Sequence, residues 1–126
     1  MLNIDKYLSV TWRMGGRCYP FLDCYGIVHE IRRDLNLPEW PAFEGIIQED
    51  SQMDLAARKL MLSVEKCKAS HGVVAACYKS GMVTHVGIVV EMNGLLHVIE
   101  SNPKSNVTIL PIGRFERRYA KVEYYQ

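Results

Sequence analysis

From Gly72 onward the chain breaks into short runs rich in β-branched residues, GVVAACY, THVGIVVEM, LLHVIES and NVTILPI, separated by Gly, Asn, Ser and Pro. Runs of this length and texture predict antiparallel strands. Asn93-Gly94, between the second and third, marks a hairpin because both residues accept positive φ at little steric cost. Before Gly72 the periodicity is helical. From Cys24 the apolar residues Ile27, Val28, Ile31 and Leu35 recur on one face. Asp23 precedes them as an N-cap, and Asn36 and Pro38 end the run. A short helix is predicted over residues 3–11. A second long helix is predicted to open with a capping-box-like start at Ser51–Asp54, with Met53, Ala57, Leu60, Val64 and Cys67 on one face. LPEWPAFEG reads as an irregular crossing, and FERRY as one helical turn before a last strand, AKVEYY. Helices followed by strands predict an α+β class, the N-terminal helices packed on a C-terminal antiparallel sheet.

The chain has 126 residues, enough for a core of its own, so one domain over residues 1–126 is expected. Its formal charge is +1, which provides no broad positive field for phosphates or anionic lipid. Nucleic acid and membrane are therefore not expected partners. The opening MLNIDKYLSVTWRMGG lacks the cationic start and apolar run of a secretory signal, so the protein is expected to be cytoplasmic as synthesised.

Of the four cysteines, Cys67 and Cys77 occupy apolar positions where a thiol acts as a small hydrophobe. No C-x-x-C pair suggests a metal site, and no cofactor is expected. Cys24 differs from the rest. It starts a helix, where unpaired N–H groups and the macrodipole favour a thiolate, and it starts the apolar face, so its sulfur should point at the sheet. Gly26 lets another chain segment approach this first turn.

Four histidines compete for the role of base. His29 lies off the apolar face of its helix and reads as solvated. His71 sits in a turn. His97 lies mid-strand, where a lone histidine is usually a satisfied core residue. His85 opens THVGIVV, with Gly87 two residues later on the same face leaving room for a helix end or a substrate.

The run WRMGGRCYPFLDCYGIV, the strand THVGIVV and a histidine twelve residues after His85 together resemble the NlpC family of papain-like cell-wall peptidases, particularly the short forms found as phage tail-assembly proteins. The resemblance spans Trp12 to about Asn102. It implies a papain-like fold and a Cys24–His85–His97 triad, in which His85 takes the thiol proton, Cys24 attacks a carbonyl and His97 orients the imidazole. The implied substrate is a peptide-stem amide of bacterial peptidoglycan, of the γ-D-Glu–diaminopimelate type. A phage tail or a secretion apparatus is the implied route to the wall, placing the protein in a virion or the periplasm. Asp23 and Trp12 are the implied substrate or oxyanion residues. Trp12 stands where the family usually has tyrosine, and an indole N–H only partly replaces a phenol. Acyl transfer by a related Cys-His fold and a weakly active structural role in a tail tip are the alternatives.

The hairpin bears directly on the triad. A strict two-residue turn at Asn93-Gly94 would pair His97 with Val90 and put His85 and His97 on opposite faces, leaving Asn102 or Glu100 to orient the base. A bulge or a longer loop would keep His97 in that role.

Overall fold

A computed structural model describes residues 2–49 and 51–126. Helix α1 (Ile4–Leu8) leads into a two-stranded ribbon, β1 (Arg17–Cys18) and β2 (Phe21–Leu22). Helices α2 (Cys24–Asp34) and α3 (Gln52–Met61) follow. The second half consists of β3 (Lys66–Cys67), β4 (Val74–Lys79), β5 (Met82–Met92), β6 (Leu95–Asn102), β7 (Asn106–Pro111), α4 (Ile112–Glu116) and β8 (Lys121–Tyr125). The six strands from β3 onward form one antiparallel sheet in the order β3-β8-β4-β5-β6-β7. Among the described residues, no helix is long and apolar enough to cross a membrane.

Helix α2 forms where its pattern predicts. The Asp23 carboxylate accepts the Gly26 N–H at 2.8 Å, satisfying a donor that the first helical turn leaves without a partner. Its apolar face, Cys24, Ile27, Val28 and Ile31, is fully buried against Val74, Ala76, Val86, Ile88, Val90 and Ile99 of the sheet. Burying each of the larger aliphatics contributes roughly 1.5–3 kcal/mol. A second cluster, Val73, Ala75, Cys77, Val89, Val98, Phe115 and Tyr124, fills the opposite face beneath α4. Strand β5 is covered on both sides, which is why GIVV is continuously apolar rather than alternating.

Three expectations are corrected. The first helix ends at Leu8, not residue 11, and Val10 beyond it turns into the core. Among the described residues Ser51 finds no capping partner, and it adopts left-handed backbone, φ 62°. Asp54 instead accepts the Val83 N–H at 2.8 Å and Arg58 at 2.9 Å. Cys67, placed by periodicity on a helix, lies in β3 opposite Tyr124 of β8.

The Asn93-Gly94 turn is strict, with φ of 54° and 78°, and pairs Met92 with Leu95. The β5–β6 ladder is regular throughout, from Met92–Leu95 to Ile88–Ile99. The bulge lies in the neighbouring β4–β5 ladder, where Cys77 pairs with His85 but Tyr78 pairs with Val83. Thr84 is the extra residue, and the side-chain alternation resets beside His85.

Candidate active site

Cys24 is the first residue of α2, and three contacts fix its place. The Gly16 carbonyl lies so close to Gly26 that an added Cβ would stand 2.1 Å from its oxygen, so the segment before the ribbon does press on the first helical turn. Ser101 of β6 donates to the Leu22 carbonyl at 2.7 Å, tying the end of that strand to the residue before the cap. The main-chain N–H groups of Val86 and Tyr25 face the Cys24 sulfur. The sulfur thus rests against the peptide joining His85 to Val86, beyond the point where the β5–β6 ladder has stopped at Ile88–Ile99.

His85 projects to the other face of the sheet. Its ring lies nearly parallel to Tyr119, at 5.8 Å and 15°, and its cross-strand neighbour is Cys77. Its Nε2 is 2.7 Å from the Oε1 of Glu100, a fully buried carboxylate. Glu100 also accepts Arg118 at 2.6 Å and Thr108 at 3.0 Å on Oε2, and the Tyr119 hydroxyl at 3.3 Å on Oε1. Burial by itself would raise the Glu100 carboxyl, but the hydrogen bond and charge of His85, with Arg118 and Thr108, outweigh it and bring it down to about 2. An ionised carboxylate only accepts, so the His85 Nε2 that faces it carries a proton, and Nδ1 is the ring nitrogen left over. Among the described residues that nitrogen has no hydrogen-bond partner, and no hydrogen bond joins it to Cys24.

His97 does not reach His85. It pairs with Val90, and its Nδ1 lies 3.1 Å from the Leu95 carbonyl on an exposed stretch of β6. The orienting contact to His85 comes from Glu100, because the strict turn puts the two histidines on opposite faces. Asn102, the other residue the strict register brought forward, makes no bond to His85, and its side-chain nitrogen is buried without a partner among the described residues. The space expected beside Gly87 is filled by Val98 and Glu100, with a Cβ there standing 2.7 Å from Val98 Cγ1.

The chemistry at Cys24 also differs from expectation. Burial, then the Asp23 charge, push its thiol up to about 12, against the smaller opposing effects of the Val86 N–H, Arg17 and the Tyr25 N–H. Desolvation outweighs the helix terminus, and the resting group is a thiol. The exposed Cys18 should therefore react first with iodoacetamide at pH 7, and the buried Cys24 and Cys77 last. Peptide mapping by mass spectrometry reads this order, and early labelling of Cys24 would contradict the closed site.

Asp23 holds structure together. Its Oδ1 accepts Arg17 Nη1 at 2.7 Å as well as the Gly26 N–H. Arg17 also donates to the carbonyls of Gly16, Ala42, Phe43 and Ile46 at 2.6–3.1 Å, stitching the irregular crossing to the cap. Trp12 and Asp23 share the wall of a recess of about 170 Å³ with Gly15, Gln48 and Pro103. The Trp12 main chain donates to Asn106 at 2.9 Å, while its indole nitrogen is buried without a partner among the described residues. His29, read as solvated, is half-buried with Nε2 3.0 Å from the Trp40 carbonyl.

Sequence reasoning did not anticipate Arg17, Thr108, Arg118 or Tyr119. Glu100 carried a usable signal, being the one formal charge in the run LLHVIES, where an acid must find donors to be buried.

No protein-family model matches the chain, and no curated protein matches its sequence.

Proposed function

We propose that this chain is a papain-like cysteine hydrolase of the NlpC type, with Cys24 as nucleophile, His85 as general base and Glu100 as the group that orients it. The observation that carries the reading is the His85 Nε2–Glu100 pair at 2.7 Å, which leaves Nδ1 without a partner among the described residues. At rest His85 faces away from the side of the sheet that α2 covers, so the proton transfer requires the ring and the Cys24 thiol to be brought together around β5 when substrate binds. In the reaction His85 Nδ1 takes the Cys24 proton as sulfur bonds to the substrate carbonyl carbon, giving a tetrahedral oxyanion. The imidazolium then protonates the leaving amine as the C–N bond breaks. Water, deprotonated by His85, releases the acid and restores the thiol. The N–H of Cys24, among the donors that the start of a helix leaves unpaired, is the oxyanion donor in this scheme. A raised thiol suits a concerted transfer to the base better than a preformed thiolate, and catalytic hydrogen bonds that are long at rest tighten around substrate.

The proposed substrate is a peptide-stem amide of bacterial peptidoglycan, reached through a phage tail or secretion apparatus, as the segments around Cys24 and His85 suggest. Incubating the purified chain with sacculi should release stem-peptide fragments detectable by mass spectrometry, and Cys24→Ala should release none. Equal release by the variant would refute the assignment of Cys24.

A second reading is acyl transfer from an apolar donor. It is favoured by an apolar cavity of about 60 Å³ between α2, α3 and the sheet, with Cys24 on its wall beside Phe43, Met53, Leu60, Val74 and Val86. Acyl groups retained on Cys24 after incubation with a short-chain acyl thioester, without fragment release from sacculi, would favour this reading.

A further inference from the structure

The turn that follows α4 contributes two side chains to the buried end of the proposed catalytic pair. Arg118 reaches Glu100 Oε2 at 2.6 Å, on the oxygen that His85 does not use. Tyr119 covers one face of the imidazole at 5.8 Å and also donates to Oε1 at 3.3 Å. Phe115 supports the tyrosine from behind, with ring centroids 5.2 Å apart. The turn itself is held by main-chain bonds from Arg118 to Phe115 and from Tyr119 to Glu116.

We infer that Arg118 and Tyr119 are positioning residues for the proposed hydrolysis: the tyrosine fixes the plane of the His85 ring, and the arginine limits how strongly Glu100 favours imidazolium. The inference rests on the reading of His85 as base. A carboxylate facing an imidazole stabilises its charged form, and a base locked as imidazolium accepts no proton. A guanidinium on the far oxygen draws off part of that field while keeping the carboxylate ionised and aligned. Four donors on two oxygens hold the Glu100 carboxylate in one orientation, and the imidazole hydrogen-bonded to it follows. The groups that face His85 are Glu100 from β6, Cys77 from β4 and Tyr119 from the turn, with Cys24 beyond the strand and Arg118 acting through Glu100.

The test uses the full chain, sacculi as substrate and proton NMR of the resting protein. Arg118→Gln should move the acidic limb of the rate–pH profile to higher pH while recovering the rate at alkaline pH, and Arg118→Lys should restore the original limb. Tyr119→Ala should lower kcat about 10- to 100-fold with little change in KM, and should remove the downfield resonance of the His85 Nε2 proton. Tyr119→Phe, which keeps the stacked ring, should retain that resonance. A purely structural role would lower stability in both turn variants and leave the pH profile and the resonance unchanged, and that result would overturn the inference. Fragment release that persists in Cys24→Ala would instead overturn the hydrolase reading, with the NMR results still deciding whether the turn fixes the ring.

Discussion

Glu100→Gln is expected to lower the proposed amide hydrolysis by about 10²–10⁴-fold, the range for disabling an oriented general base. The carboxylate meets donors only: His85, Thr108, Arg118 and the Tyr119 hydroxyl. An amide of the same shape brings one acceptor oxygen and a new NH₂ into that ring of donors. Either the NH₂ faces His85 and forces the ring to present a lone pair on Nε2, taking the free lone pair from Nδ1, or it faces Arg118 and leaves a buried clash. Rates on sacculi at saturating substrate measure the effect, and an unimpaired variant would remove Glu100 from the mechanism. The same substitution should change acid stability. A carboxyl lowered from 4.5 to about 2 by folding contributes stability that is complete above the unfolded value and is lost as pH falls through that interval. Wild type should therefore lose stability between about pH 4.5 and 2 by a component that Glu100→Gln lacks. Urea midpoints measured at several pH values in this window show whether the component exists.

Gly26→Ala is expected to cost more than about 3 kcal/mol, at the severe end of overpacking substitutions. The new methyl would sit 2.1 Å from the Gly16 carbonyl oxygen and 3.2 Å from its carbon, both main-chain atoms that cannot rotate aside. Gly16 is itself hemmed in, since a Cβ there would lie 2.4 Å from the Phe21 carbonyl oxygen. The first turn of α2 must then lift away from the segment before it, carrying the Cys24 sulfur from its rest against Val86. Denaturant unfolding gives the loss directly. A variant of near-wild-type stability would mean that this contact is looser than described.

The parts of the molecule readable from sequence are those fixed by neighbours in the chain. Helix α2 has its cap, its apolar stripe and its stop within fifteen residues, and Asn93-Gly94 carries its own turn geometry. Elements decided by distant residues are not readable in this way. Ser51-to-Asp54 has the spacing of a capping box, yet Asp54 is taken by Val83, twenty-nine positions on, and the serine is left uncapped. Cys67 fits a helical stripe only until β8 returns to pair with it. Within the site, Cys24 and His85 drew notice through local chemistry. Glu100 followed from the register of a strict turn, whereas the donors Arg118 and Tyr119 come from a segment eighteen and nineteen residues later that no periodicity links to it. The expected thiolate failed for a related reason. A helix terminus is visible in sequence, but the depth at which tertiary packing buries it is not.

The guanidinium of Arg17 reaches four carbonyls and one carboxylate, so the crossing from α2 to α3 and the cap of α2 share a single anchor. Shape changes in that crossing cannot stay local. Anyone wishing to reshape the cavity beside Cys24 would do better to begin at position 17 than within the tryptophan- and proline-bearing stretch it restrains, because the same change that frees the stretch also retunes the charge near the sulfur.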